Sequence, residues 1–123
     1  MSSTPTPFES SVVSMSSQQV VEKALEFLPP ALLASMVGVK DPGQVRKWRS
    51  GAQVPTPAAL EKLRFMLTQA LAIEDAESAA VATAWLTSAN SRLAYQLPIK
   101  AVREVRYRDV ANAGSAYLHG YAG

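Results

Sequence analysis

Cysteine is absent from the 123-residue chain, and histidine occurs once, at His119. Without a thiol there is no disulfide, no thiolate nucleophile and no cysteine-built zinc site, a usage that fits a reducing cytoplasm. A single histidine beside Gly120, tied to no serine or aspartate by a catalytic spacing, supplies no nucleophile–base pair, so the chain is expected not to be an enzyme. Long apolar runs are missing as well. No stretch approaches the ~20 residues of a membrane span. The opening MSSTPTPFESS has neither the basic n-region nor the apolar h-region of an export signal. No glycine-rich phosphate loop occurs. Glu74, Asp75 and Glu77 are accounted for as charges at the start of a helix, where they oppose its dipole, rather than as metal ligands. Neither cofactor nor metal is expected, and a cytoplasmic location away from membranes is.

What is present is apolar residue at helical spacing. Hydrophobic residues make up 48% of the chain, enough for a packed core. No segment sustains the period-two alternation of a strand, so the fold is expected to be all-α. Residues 1–15 are rich in Ser, Thr and Pro and are expected to form a flexible tail. Ser16 or Ser17 then caps a helix with Val20, Val21, Ala24, Leu25 and Leu28 inward, and Pro29 ends it. Pro30 opens a second helix that Gly38 closes. Thr56 and Pro57 have the residue types of N-cap and N1 for a long helix striped by Leu60, Leu63, Leu67, Ala70 and Leu71. Beyond it, Val81, Ala82, Trp85 and Leu86 mark another helix, Pro98 opens a short one with Ile99, Val102 and Val105 inward, and Asp109 is placed to cap the last. The expected organisation is a tail over 1–15, a helix-turn-helix domain with its long linking helix over 16–73, and a small helical domain with a C-terminal tail over 74–123.

Function is most legible between residues 31 and 57, ALLASMVGVKDPGQVRKWRSGAQVPTP. Ala34 and Gly38 stand one helical turn apart, with the glycine free to adopt the positive φ of a sharp corner. In the helix that follows, Val45 and Trp48 fall on a face that can pack while Arg46, Lys47 and Arg49 stay wet. This is the pattern of a helix that enters a DNA groove. Lys40, Gln44, Arg46, Lys47, Arg49 and Ser50 are the candidate DNA-binding residues. Lys and Arg supply phosphate contacts, and Arg toward guanine or Gln toward adenine supplies base choice. The bland rival is a solvated helix face, with Trp48 and Trp85 serving the core.

Charge is distributed unevenly. Residues 40–64 hold six bases against two acids, and residues 92–108 hold five against one, so each stretch balances at +4 within a chain of net +2. For Arg103, Arg106, Tyr107 and Arg108 in the second stretch, a plain solvated surface, a second nucleic-acid contact and attraction of an acidic protein partner all remain open.

In this order, the helix-turn-helix with VRKWRSG, the proline-rich joint, the long Leu-rich helix and AWLTSANSRLAYQLPIKAV resemble the Xre/MbcA/ParS antitoxin-like family. Its W-L-x-x-x-N-x-x-L motif with a later proline is matched by Trp85, Leu86, Asn90, Leu93 and Pro98. The resemblance spans roughly residues 17–120 and implies an Xre-like helix-turn-helix bundle followed by a small C-terminal toxin-binding or dimerisation subdomain. It implies a homodimer that represses its own operator in double-stranded DNA and neutralises a RES-type toxin that destroys NAD. The candidate partner-binding residues are then Asn90, Arg103, Arg106, Arg108, Tyr117, Leu118, His119, Tyr121 and Gly123, the last five because the family's C-terminal region approaches the toxin cleft. A frayed terminus is the rival for those five, and a stand-alone or prophage-type repressor is the rival for the whole. The chain departs from the family in two places. Val45 lies seven residues after the turn glycine where six is usual, and Arg106, Tyr107 and Arg108 stand where a glycine commonly precedes the last helix.

Overall fold

Capping chemistry fixes most of the helix ends. In the computed structural model, which describes residues 6–120, the helix α2 (Ser17–Ala24) begins where Ser16 Oγ accepts from Gln19 N at 3.1 Å and Gln19 Oε1 accepts from Ser16 N at 2.8 Å. The next helix, α3 (Pro30–Val37), has Pro30 in its first turn and ends at Gly38, whose φ of 87° lets its N–H turn back to Ala34 O at 2.9 Å. After α4 (Gly43–Ser50), Gly51 repeats the left-handed stop with φ 84°, and there an added Cβ would also meet Gln18 Oε1 at 3.0 Å. Thr56 Oγ1 accepts from Ala59 N at 3.2 Å at the start of α5 (Pro57–Ala76), as its Thr-Pro sequence predicts. Three further helices follow, α6 (Ala79–Leu86), α7 (Pro98–Arg103) and α8 (Tyr107–Leu118), with a single 3₁₀ turn at Ser91–Leu93. The fold is all-α, and among the described residues the nearest approach to a sheet is one isolated bridge between Asn90 and Gln96.

The central element is α5, which packs against α1 (Pro7–Ser14), α2, α3, α6, α7 and α8. Its Leu63, Met66, Leu67, Ala70 and Ile73 are fully or almost fully buried. Thr83 Oγ1 of α6 also donates to Phe27 O at 2.8 Å, joining the later helices to the chain that leaves α2. By contrast, α4 sits at the edge against α2 and α3.

Four local expectations are corrected. Residues 7–14, expected within a flexible tail, form α1: Thr6 Oγ1 accepts from Glu9 N at 3.1 Å, Pro7 occupies the first turn, and Val12 is 2% exposed. The Arg64 guanidinium donates to Val12 O, which also accepts from Met15 N, and to Met15 O, tying the end of this short helix to α5. The acids at 74–77 close α5 rather than open α6, because the apolar stripe runs on through Ile73 and the hydroxyl of Ser78 is the cap for Val81 N at 3.1 Å. Asp109 lies inside the first turn of α8, whose start is set earlier by the tight corner at Val105 (φ 61°) and by Arg106 N donating to Ala101 O at 2.9 Å. That corner turns Val105 outward, to 55% exposure, where an inward position is expected.

Candidate nucleic-acid interface and C-terminal face

The turn into α4 is organised by Asp41. Its Oδ1 accepts from Gly43 N at 2.8 Å, a local side-chain cap, while Gln44 N and Val45 N donate to Asp41 O and Pro42 O at 3.0 and 3.1 Å. The helix thus starts tightly wound, and Val45 reaches the core at 0% exposure with Trp48 at 5%. Burial of these two anchors, worth about 1.5–3 kcal/mol for an aliphatic or aromatic side chain, holds the helix from one side. At its far end Gln18 Nε2 of α2 donates to Arg49 O at 3.1 Å.

Anchoring on that side decides what faces outward. Gly43, Arg46, Lys47 and Ser50 recur at helical spacing on the opposite face, and the latter three are exposed. Arg49 is exposed on the flank and Lys40 in the preceding turn. Lys47 and Arg49 also stand in the last turn, where cations offset the negative end of the helix dipole. Gln44 does not join this set. It is half-buried, and its Oε1 is sealed from solvent without a hydrogen-bond partner among the described residues. The ring of Trp48 belongs to the core, as expected.

The C-terminal candidates lie on separate surfaces. Asn90 and Tyr117 come together around Trp85, lining two adjoining grooves of about 200 and 230 Å³ with Ser91 and Arg92. The Trp85 and Tyr117 rings are 6.4 Å apart, and Trp85 is half-buried, so it serves a surface as well as the core. Asn90 shapes the adjoining turn: its Oδ1 accepts from Arg92 N at 2.9 Å, and its backbone oxygen from Tyr95 N at 2.8 Å. That turn holds Ala94 and Tyr95 at φ 55° and 64°, leaving Tyr95 75% exposed. Leu118 and His119 line a different groove, of about 330 Å³, opposite Phe8 and Glu9 of α1. His119 Nδ1 is 2.8 Å from Ser115 O, which fits an Nδ1–H tautomer at the helix end.

Arg106 is directed inward. Its guanidinium bonds Gln96 Oε1 and Asp109 Oδ2, the latter at 3.1 Å, fastening the turn before α7 to the start of α8. Arg103 and Arg108 are exposed. Tyr121 and Gly123 lie outside the described residues.

Sequence reasoning passed over Gly114 and the tyrosine contacts of α8. A Cβ at Gly114 would meet Gln69 Oε1 at 2.8 Å, which the flexible end of that side chain can relieve, and Trp85 Cη2 at an ordinary contact distance of 3.7 Å, so α8 lies close to α5 and α6 here. An isolated glycine inside a helical stripe is the signal of such an approach. Tyr107 stacks on Phe65 with centroids 4.6 Å apart, and its pKa is pushed up to about 12, first by burial and then by the charge and hydrogen bond of Glu61. Desolvation, with Glu77 beside it, raises Tyr117 too. Among the described residues no helix is long and apolar enough to cross a membrane, and no group of three His, Cys, Asp or Glu converges on a metal-sized site.

No protein-family model matches the sequence, and no curated protein matches it. Among solved structures, a chain in the crystal structure of the M. tuberculosis MbcT-MbcA toxin-antitoxin complex superposes with a TM-score of 0.72 at 24% identity, over 86% of this chain and 96% of that one. At that identity the likeness establishes a shared fold.

Proposed function

We propose that the protein is a DNA-binding antitoxin that represses its own operator as a homodimer and neutralises a RES-type toxin that degrades NAD. The observation that carries the antitoxin role is the shared fold with a chain of a toxin-antitoxin complex over 86% of the length. It is supported by the separate appearance in this sequence of Trp85, Leu86, Asn90, Leu93 and Pro98 at the spacing the resemblance requires. DNA binding is supported by α4, whose cations face outward because Val45 and Trp48 face inward. Arg46 and Lys47 contact phosphates while α4 lies in the major groove, and a dimer meets half-sites about 34 Å apart.

The two parts are tested separately. Arg46→Ala/Lys47→Ala is expected to weaken binding to duplex DNA and to flatten the log-log salt dependence by about 1.8, since each phosphate contact contributes roughly 0.9. Unchanged affinity and slope would remove α4 from the DNA. For the toxin, the neighbouring genes are searched for a RES-type protein, the chain is co-expressed with the product found there, and cellular NAD is followed together with co-purification. Preserved NAD and a recovered complex are expected. NAD loss despite the chain, with no complex, would leave a stand-alone repressor.

A further inference from the structure

The groove between α3 and α7 has a volume of about 500 Å³ and is lined by Leu32, Ser35 and Met36 on one side and by Ile99, Lys100 and Arg103 on the other. At its floor Met36 and Ile99 retain only 1% and 5% exposure, while Leu32 and Leu97 beside them are half-buried. What the groove presents to solvent is its rim. Lys100 and Arg103 are both exposed, one helical turn apart on α7, while Ile99, Ala101 and Val102 between and beside them are buried. No carboxylate among the described residues pairs with either. Lys23–Glu26 and Arg106–Asp109 are ion pairs that lie away from this rim. Glu104, exposed at the end of the same helix, lines the same groove, so the rim carries two cations against one carboxylate.

The position of this cationic pair follows from its support. Helix α3 packs against both α4 and α7, so the two exposed basic helices are mounted on one short element. In a helix-turn-helix docked on DNA, the first helix crosses the sugar-phosphate backbone while the second occupies the groove. Lys100 and Arg103 are carried by a helix packed on that first helix. We infer that Lys100 and Arg103 form a second phosphate-binding site, engaging the duplex backbone beyond the groove that α4 occupies. The site adds affinity and fixes orientation without reading bases, because both residues are placed for phosphate oxygens rather than groove edges. An acidic protein segment is the competing ligand for the same rim, and the packing of α7 on the helix that also carries α4 favours the duplex.

The inference rests on the DNA-binding role proposed above, and the experiment separates the two. Binding of the full chain to a mixed-sequence duplex of about three helical turns is measured by fluorescence anisotropy across a salt series, for the wild type, Arg46→Gln/Lys47→Gln and Lys100→Gln/Arg103→Gln. Each double variant is expected to lower the log-log slope by about 1.8. The charge reversal Lys100→Glu/Arg103→Glu is expected to weaken binding further, and circular dichroism confirms that each variant is folded. A wild-type slope in Lys100→Gln/Arg103→Gln, alongside a lowered slope in Arg46→Gln/Lys47→Gln, overturns the second site and leaves α4 on the DNA. Absence of salt-dependent binding in the wild type overturns both.

Discussion

Within two stretches of the same formal balance, +4 over 40–64 and +4 over 92–108, α4 and Arg106 use basic side chains in opposite ways. In the first, the cations of α4 stand outward over an apolar seat, and Val45 and Trp48 do the holding. In the second, an arginine does the holding: Arg106 joins Gln96 to Asp109 across a corner in which Val105 adopts φ 61°. A residue type that advertises a binding surface in one place is an internal fastener in the other. Counting charges along a sequence does not distinguish the two, whereas the acceptors that the guanidinium meets do.

That contrast can be broken at its strongest point first. Trp48→Ala is expected to cost about 3–5 kcal/mol of unfolding free energy in urea, the usual range for removing a buried aromatic. A loss below about 1 kcal/mol, the level of an ordinary point substitution, would mean that α4 is not seated by its apolar face. Arg106→Ala is expected to cost less, about 1–2 kcal/mol, since its charged hydrogen bonds are partly open to water. Arg106→Lys should recover little, because an ammonium does not reproduce a fork that meets two acceptors. Full recovery by lysine would reduce Arg106 to a point charge and erase the distinction from α4.

The smallest effect lies at alkaline pH. Tyr107 has its pKa raised from 10.0 to about 12 in the folded chain, so the unfolded chain loses this proton first as pH rises. The stabilisation is therefore whole below the unfolded value and is lost between these two values as pH climbs through the folded pKa. Thermal midpoints of wild type should fall more steeply over that window than those of Tyr107→Phe. Parallel curves would detach Tyr107 from Glu61 and leave its stacking on Phe65 as the sole tie.

The parts of the fold that could be read from the sequence were those decided within one or two turns of chain. The N-cap at Ser16, one of the two serines expected to supply it, the left-handed stop at Gly38 and the Thr56-Pro57 start each require a particular side chain at a particular place, and each appears within that expectation. Thr6-Pro7 is the same start signal, but the serines after it suggested a solvated segment, and the groups that hold α1 lie far along the chain. The candidate site divides in the same way. Val45 and Trp48 sort inward by periodicity alone, and that sorting placed Arg46, Lys47 and Ser50 outward. The seclusion of Gln44 Oε1 and the inward turn of Arg106 depend on neighbours from other helices, which no local pattern specifies.

The reach of Arg64 also sets an order of assembly. It bonds the carbonyls of residues 52 and 49 positions earlier, so α1 leaves the ribosome long before the group that holds it exists. An eight-residue helix is marginal in water by itself, because the nucleation penalty is spread over too few bonds. Docking of α1 accordingly waits until α5 has formed, and protection of its amides from exchange would mark one of the late events of folding.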